Sequence, residues 1–157
     1  MKNIIQNFIQ DKKVALVGVS RDPKKWGNML FRELRKNGFT VYPVNRNAEL
    51  IKGEKCYPTV SELPKDVKNA IITLPSDITE QIVKECAQAG IKRIWMHKGA
   101  GGKGSQSKTA IEYCKANGID VVYGLCPLMF FTPTSIHKVH FWLRKVLHRL
   151  PEEFSSD

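Results

Sequence analysis

Short apolar runs alternate along this chain with longer segments in which apolar residues recur every three or four positions. A run of five or six mostly apolar residues is typical of a strand buried in a sheet, whereas the longer spacing is typical of an amphipathic helix. The runs predict β-strands at residues 14–19, 39–44, 69–74, 91–96 and 119–123. The helical spacing predicts α-helices at residues 3–10, 26–37, 76–89 and 107–117, with a short helical turn at 61–64.

The alternation of strands and helices predicts an α/β fold. Parallel strands need crossover connections, and helices between the strands supply them. Gly38, Gly90 and Gly118 each follow a predicted helix, and Ser76 is expected to cap the helix that begins there. We expect a doubly wound, Rossmann-like parallel sheet of five strands with helices on both faces. Its ligand site should lie at the carboxyl ends of the strands, where the strand order reverses.

The last part of the chain has a different pattern. Residues 1–131 are expected to form the Rossmann-like domain, and residues 132–157 to add a C-terminal amphipathic helix and tail to it. Apolar residues from Ile136 to Leu150 share one face of that helix, and the opposite face is basic. We expect the apolar face to dock on its own domain or on a twin subunit, as in a homodimer. The alternative is a helix that binds an acidic lipid surface or nucleic acid, partners that we do not expect.

Charge and cysteine content narrow the partners and the compartment. The sequence has 25 Lys and Arg against 15 Asp and Glu, a formal net charge of +10, which favours polyanions such as nucleotide phosphates. The four cysteines include no Cys-x-x-Cys pair, so neither a zinc site nor a disulfide framework is expected, and a reducing cytoplasm fits best. The amino terminus is too polar for a secretory signal, and no segment has the length of a membrane span.

The turn after the first predicted strand is a candidate phosphate-binding site. Gly18, Val19 and Ser20 end that strand shortly before a helix begins, and the backbone N–H groups at a helix start attract anions. The match to the dinucleotide fingerprint Gly-x-Gly-x-x-Gly is incomplete, because the next small residues are Ser20 and Gly27. Taken alone, Gly18 could equally serve only a tight turn.

The residues after the second predicted strand favour a phosphorylated ribose. NAD-binding sheets commonly have a carboxylate at this edge, which accepts a hydrogen bond from a ribose hydroxyl, but Asn45 and Arg46 stand here. A guanidinium holds a phosphate through two parallel N–H bonds, which suits the ribose phosphate of coenzyme A or of NADP. Plain NAD is therefore disfavoured.

Four short motifs at the strand ends carry a family resemblance. In chain order they are Gly18-Val19-Ser20, Tyr42-Pro43-Val44-Asn45, Leu74-Pro75-Ser76 and Cys126-Pro127. Over about residues 11–127 the chain resembles the CoA-binding protein family, small relatives of the nucleotide-binding domain of the succinyl-CoA synthetase α subunit. The resemblance implies a site for the ADP part of coenzyme A, with the first loop around the pyrophosphate and later loops around adenine and ribose. The glycine- and lysine-rich loop at residues 98–108 departs from the family pattern, and could be an anion cradle, a mobile lid or a plain surface loop.

The expected binding residues come from the ends of all five strands. Trp26 could close over the nucleotide or be buried against the sheet, and Lys24 could reach a phosphate or stay solvated. The residues expected to bind the cofactor are Gly18, Val19, Ser20, Arg21, Lys24, Trp26, Pro43, Val44, Asn45, Arg46, Leu74, Pro75, Ser76, Ile78, Lys98, Gly99, Cys126 and Pro127.

No catalytic arrangement can be assembled from these residues. They provide neither a Ser/His/Asp set nor paired carboxylates, and His137 and His140 have no acidic or cysteine partner nearby in the sequence for a metal. The resemblance implies that the phosphorylated histidine of the synthetase comes from a second domain, which this sequence is too short to include. We expect a non-catalytic module that binds coenzyme A or an acyl-CoA. The alternative is an NAD(P)-binding redox sensor or oxidoreductase on the same fold.

Overall fold

A five-stranded parallel sheet forms the centre of the protein. The computed structural model describes residues 1–98, 104–131 and 151. Its strands are β1 (Lys13–Val17), β2 (Thr40–Val44), β3 (Leu50–Ile51), β4 (Glu54–Lys55), β5 (Asn69–Ile72), β6 (Arg93–Met96) and β7 (Asp120–Val122). Its helices are α1 (Lys2–Asp11), α2 (Trp26–Lys36), α3 (Ser76–Ala89), α4 (Lys108–Ala116) and α5 (Leu128–Phe131), with a 3-10 turn at Val60–Glu62.

The strand order of the sheet is β2-β1-β5-β6-β7, and every pair in it is parallel. The chain moves outward from β1 to β2, then crosses back over β1 to β5 and continues in the other direction. The order therefore reverses at β1, between its neighbours β2 and β5. In open α/β sheets this is the place where a crevice opens at the carboxyl ends of the strands. The predicted fold class is confirmed.

Each face of the sheet is covered by its own apolar layer. Alternate residues of a strand point to opposite faces, so that Leu16 packs with α1, α2 and α5, while Val17 packs with α3, α4 and the 3-10 turn. Trp95 of β6 is fully buried in the first layer, where its ring makes a T-shaped contact with that of Phe8 from α1 and its Nε1 donates to the Leu125 carbonyl over 3.0 Å. The helix predicted at the amino terminus thus packs against the sheet, as expected.

A polar cluster closes the opposite, amino-terminal end of the sheet. The Arg93 guanidinium donates to the Asp11 carboxylate over 2.8 Å and to the Asn69 side chain over 2.6 Å. The Asn69 amide also donates to Asp11 and to the Lys13 carbonyl. Since Asn69 is fully buried and its polar atoms are satisfied within this cluster, the cluster fixes the end of α1 onto β5 and β6 without an unpaired buried group.

The outer edge of β2 is covered by a short extended segment. The backbone N–H of Tyr57 donates to the Pro43 carbonyl, and the N–H of Asn45 donates to the Tyr57 carbonyl, both over 2.9 Å. Val44 and Tyr57 form an isolated parallel bridge. The segment after the β3–β4 hairpin therefore returns along the edge of the sheet, beside the carboxyl end of β2.

Several details differ from the prediction. The helix at residues 76–89 has Pro75 as its N-cap, without a side-chain cap, so Ser76 is the first helical residue and its predicted capping role is wrong. A cap side chain does occur on α4, where Ser107 Oγ accepts from the backbone N–H of Ala110. The β3–β4 hairpin was not predicted, because two residues per strand are too few to show an alternation.

The segment from residue 132 onward lies outside the described residues, apart from Pro151. The C-terminal helix, the homodimer contact and the division at residue 131 therefore stay predictions. Among the helices that are described, we find none with the length and apolar character needed to cross a membrane.

Candidate functional site

A cavity of about 490 Å³ opens at the carboxyl end of β1, where the strand order reverses. Its walls come from the ends of β1 and β2, from the segment before the 3-10 turn, and from one face of α3. The described residues that line it are Val17, Gly18, Val19, Ser20, Val44, Asn45, Arg46, Asn47, Pro58, Thr59, Val60, Leu74, Ile78, Gln81, Ile82 and Glu85.

Two glycines bring the start of α2 against the end of β1. Gly18 has a φ of +102°, which side-chain-bearing residues rarely adopt. Gly27 lies in the first turn of α2, where a Cβ atom would come within 2.7 Å of the Gly18 carbonyl oxygen. The helix therefore begins beside the loop that borders the cavity. The backbone N–H of Asn28 donates to the carbonyl of the N-cap Lys25, whereas the N–H groups of Trp26 and Gly27 have no acceptor among the described residues. With the helix dipole, these two groups favour an anion at this place.

The loop between β1 and α2 is fixed by its own hydrogen bonds. Ser20 Oγ accepts from the backbone N–H of Asp22 over 3.1 Å, and Asp22 Oδ1 accepts from that of Lys24 over 2.9 Å. The buried Asn28 side chain donates to the carbonyls of Ser20 and Asp22 over 2.6 and 2.5 Å. A ligand at this loop would meet backbone that is already ordered, which lowers the entropic cost of binding.

Asn45 joins the ends of β1 and β2 beside the cavity. Its Nδ2 donates to the Val19 carbonyl over 2.5 Å, and its Oδ1 accepts from the backbone N–H of Asn47 over 2.8 Å. Both polar groups of the side chain therefore take part in holding the two strand ends together. At the cavity, Asn45 therefore supports the loop that follows β1.

The rim of the cavity carries an ion pair. Arg46 Nη2 lies 3.0 Å from Glu85 Oε1, and the Gln81 amide donates to the same oxygen over 3.3 Å. The Arg46 side chain is 65% exposed, whereas that of Glu85 is 22% exposed. The exposed guanidinium of Arg46 is therefore held at the rim of the cavity by a carboxylate that α3 supplies.

The inner wall of the cavity is mostly apolar. Val44, Val60 and Ile82 are buried, and Ile78 is 44% exposed although it lines the cavity. An exposed isoleucine beside a concave apolar wall offers contact area to a flat apolar group. The site therefore combines an apolar interior with charge at the rim, the common composition of a small-molecule pocket.

Trp26 and His97 form a stacked pair next to this site. Their rings lie 3.5 Å apart at an interplanar angle of 17°, and His97 is 9% exposed at the end of β6. Burial lowers the pKa of His97 to about 4, so that its imidazole is neutral at pH 7. Neither ring lines the cavity. The stacking anchors the first residue of α2 to β6.

All four cysteines are buried, and the pKa values of Cys56, Cys86 and Cys114 are raised. Burial raises the pKa of Cys114 to about 11, and it also raises the pKa of Cys86 and of Cys56. These thiols are protonated at neutral pH, and the reactive species is the thiolate. Cys126 is buried in the apolar layer on the α2 side of the sheet, away from the cavity wall. No cluster of metal-ligating side chains occurs among the residues that the structure describes.

The structure brings part of the expected binding set together. Arg21 lines a smaller neighbouring cavity of about 280 Å³ that shares Ser20 with the first, and Gly99 lies outside the described residues. The expected residues that line the main cavity are Gly18, Val19, Ser20, Val44, Asn45, Arg46, Leu74 and Ile78. The expected residues that line neither of these cavities are Lys24, Trp26, Pro43, Pro75, Ser76, Lys98, Cys126 and Pro127.

Two segments contribute lining residues that were not predicted. Gln81 and Glu85 come from α3, and Pro58 and Thr59 from the segment after the hairpin. Residues 78, 81, 82 and 85 have the spacing of one helical face, so the expected position of Ile78 at the site is a signal for the other three. The segment at residues 58–60 gave no such signal, because it has no periodicity.

The chain is similar in sequence to proteins that are named for coenzyme A. Residues 12–132 match the model of a family described as CoA binding domain. The chain is 36% identical over 124 residues to acetate–CoA ligase (ADP-forming) II of Archaeoglobus fulgidus, covering 74% of this chain and 18% of the ligase. It is 37% identical over 92 residues to the α subunit of the Pyrococcus furiosus ligase II, covering 58% of this chain and 20% of that subunit. The chain thus spans about a fifth of the length of these relatives.

Solved structures share the fold. A conserved hypothetical protein from Pyrococcus furiosus superposes with a TM-score of 0.66 at 38% identity, covering 73% of this chain and 94% of that one. A dinucleotide-forming acetyl-coenzyme A synthetase 1 of Ca. Korarchaeum cryptofilum, in complex with phosphate and ADP, superposes with a TM-score of 0.62 at 33% identity. That match covers 71% of this chain and 25% of the synthetase.

Proposed function

Because the chain belongs to the CoA binding domain family, we propose that it binds coenzyme A or an acyl-CoA through the ADP portion of that ligand, as a module without a reaction of its own. The main support is the cavity at the end of β1, which has an apolar wall and the Arg46 guanidinium at its rim, and whose loop at Gly18 lies against the first turn of α2. These groups suit an adenine, a pyrophosphate and a ribose phosphate. The names of the related CoA ligases point to the same ligand.

In this proposal each part of the ligand has its own contacts. The adenine packs on the apolar wall at Leu74, Ile78 and Ile82, where burying a flat aromatic ring is favourable. The pyrophosphate lies at the loop after Gly18, beside the start of α2. The ribose 3′-phosphate lies at the rim, where its oxygens accept from the Arg46 guanidinium. The thioester or thiol end of the ligand then extends beyond the cavity.

The lining residues favour binding over chemistry. Among the described residues that line the cavity there is no histidine, cysteine or lysine, the usual nucleophiles and bases of group transfer. The Ser20 hydroxyl accepts a backbone N–H bond, and Glu85 is paired with Arg46. The proposed role is therefore to hold the ligand by its nucleotide, and to present the remainder to another protein or domain.

Removing the 3′-phosphate from the ligand is expected to weaken binding about ten-fold. A charge-assisted hydrogen bond contributes about 1.5–3 kcal/mol when well desolvated, and the lower end applies because Arg46 is largely exposed. Isothermal titration calorimetry with coenzyme A and with dephospho-coenzyme A measures the ratio of the two dissociation constants. In Arg46→Ala the two ligands should bind equally, and acetyl-CoA should match coenzyme A in both proteins, because the acyl end lies outside the cavity.

Arg35 provides the matched control. It pairs with Glu54 outside the cavity and is about half exposed, so Arg35→Ala removes a similar cation and should leave the ten-fold ratio unchanged. Equal binding of the two ligands to the wild-type protein would show that Arg46 does not read the phosphate. If NADPH or NADH raised the melting temperature while coenzyme A did not, the assignment of the ligand would be wrong.

A further inference from the structure

The face of α3 at the cavity ends in a carboxylate. Ile78, Gln81, Ile82 and Glu85 follow one another along the helix at the spacing of a single face, and all four line the cavity. The first and third are apolar. The last lies beside Arg46 at the rim. A negative side chain at a site for a phosphorylated ligand needs an explanation, since it repels the phosphates that the rest of the site attracts.

The hydrogen bonds of Glu85 leave part of its capacity unused. Both Arg46 and Gln81 donate to Oε1, over 3.0 and 3.3 Å. Within the described residues, Oε2 has no hydrogen bond. Glu85 lines the cavity and its side chain is 22% exposed, so its second oxygen has the capacity to accept a hydrogen bond from a ligand O–H or N–H. Glu85 is also fixed in place by its two donors, which reduces the entropy that binding would cost.

The pair of opposite charges matches a specific chemical pattern. An adenosine ribose with one phosphorylated and one free hydroxyl has an anion and a hydrogen-bond donor on adjacent ring carbons. Arg46 and Glu85, 3.0 Å apart, place a cationic donor next to an anionic acceptor. The two are as close as neighbouring substituents of a ribose ring, so each can contact one of them. A ribose with both hydroxyls free would leave the guanidinium without its phosphate.

We propose that Glu85 is a specificity residue of the site, which accepts a hydrogen bond from the free ribose 2′-hydroxyl next to the 3′-phosphate held by Arg46. This inference rests on the proposed function and adds a second recognition contact to the same ribose. Arg46 recognises the phosphate, and Glu85 recognises the hydroxyl beside it. The carboxylate that nucleotide-binding sheets commonly carry after the second strand is thus supplied by α3, from the other side of the cavity.

A purely structural role for Glu85 makes a different prediction. An ion pair whose arginine is largely exposed contributes little to stability. Any effect of its loss on the shape of the rim would change the affinity of all ribose ligands alike. The ratio of affinities for two ligands that differ only in the 2′-hydroxyl cancels such effects. That ratio therefore separates recognition of the hydroxyl from support of the rim.

The test uses adenosine 3′,5′-bisphosphate and 2′-deoxyadenosine 3′,5′-bisphosphate, titrated calorimetrically into the full chain. The wild-type protein should bind the ribose form about ten-fold more tightly, the effect of one hydrogen bond to a charged acceptor. In Glu85→Ala the ratio should fall to about one. In Glu85→Gln, which keeps a neutral acceptor, it should be intermediate, at roughly three-fold. Glu54→Ala, which removes the carboxylate of the pair outside the cavity, should keep the ten-fold ratio.

Two results would overturn the inference: a ratio near one in the wild-type protein, or a ten-fold ratio that persists in Glu85→Ala. Either can occur while coenzyme A still binds, and the proposed function then stands without this contact. If neither coenzyme A nor the two bisphosphates bind to the wild-type protein, the proposed function fails and the role of Glu85 fails with it. Thermal melts of both Glu85 variants check that each is folded.

Discussion

Gly18→Ala is expected to lower the free energy of unfolding by about 3 kcal/mol and to abolish nucleotide binding. The φ of +102° costs a residue with a Cβ about 1–2 kcal/mol. In addition, the new Cβ would lie 2.5 Å from Thr73 Oγ1 and 3.0 Å from Leu74 Cγ, and such crowding costs about 1–3 kcal/mol. Thr73 cannot easily move away, because its hydroxyl donates to the Val17 carbonyl. Urea denaturation measures the stability, and calorimetry with coenzyme A the binding.

Gly118→Ala separates backbone strain from crowding. Gly118 follows α4 with a φ of +65°, and among the described residues nothing lies within 4 Å of the Cβ position. This variant should lose about 1 kcal/mol and keep its ligand affinity. Equal losses of stability in the two variants would show that the contacts with Thr73 and Leu74 do not constrain the turn. Unchanged coenzyme A affinity in Gly18→Ala would remove the turn from the binding site.

Lowering the pH from 7 to 4 is expected to cost about 3 kcal/mol of stability through His97 alone. Burial lowers the pKa of this residue in the folded protein to about 4, from 6.5 in the unfolded chain. Between these values the unfolded chain binds the proton more readily, so acid favours unfolding. The stability from this source is complete above about pH 6.5 and is lost progressively as the pH falls to about 4. Urea denaturation across this range measures it.

His97→Phe is the corresponding control, because it keeps a flat ring against Trp26 but has no proton to bind. Its stability at pH 7 will differ from that of the wild type for reasons of packing. The informative quantity is the loss of stability between pH 7 and pH 4.5, which should be smaller in the variant by about 2–3 kcal/mol. The carboxylates contribute similarly to both proteins and cancel. Parallel pH curves for the two proteins would contradict the assignment to His97.

Burial explains why the sheet could be predicted while the strand ends could not. In a sheet covered on both faces the strands are continuous apolar runs, and each run predicted a strand that the structure contains. The runs are longer than the strands, however. Val19 and Ile91 are buried, yet they lie outside β1 and β6, because a loop packed on the core also needs apolar residues. An apolar run in the sequence therefore indicates which residues are buried. It indicates which residues pair in a strand only where the buried residues are also in the sheet.

The site was predictable in part for a similar reason. The carboxyl ends of parallel strands meet at one edge, so Gly18, Asn45 and Leu74 could be placed together from the strand assignment alone. Glu85 was not predictable in this way, because a polar residue on an amphipathic helix is normally read as facing solvent. The stacking of Trp26 on His97 joins distant parts of the chain, and depends on how closely Gly27 lets α2 approach β1.

Pro43 was expected at the binding site, and its position in β2 has a different consequence. A strand at the edge of a sheet offers N–H and C=O groups to strands of other molecules, and proline has no N–H to offer. Its carbonyl is already used by Tyr57, whose segment covers this side of the strand. Addition of a strand from a neighbouring molecule, the first step toward a fibril, is therefore opposed at the carboxyl end of β2.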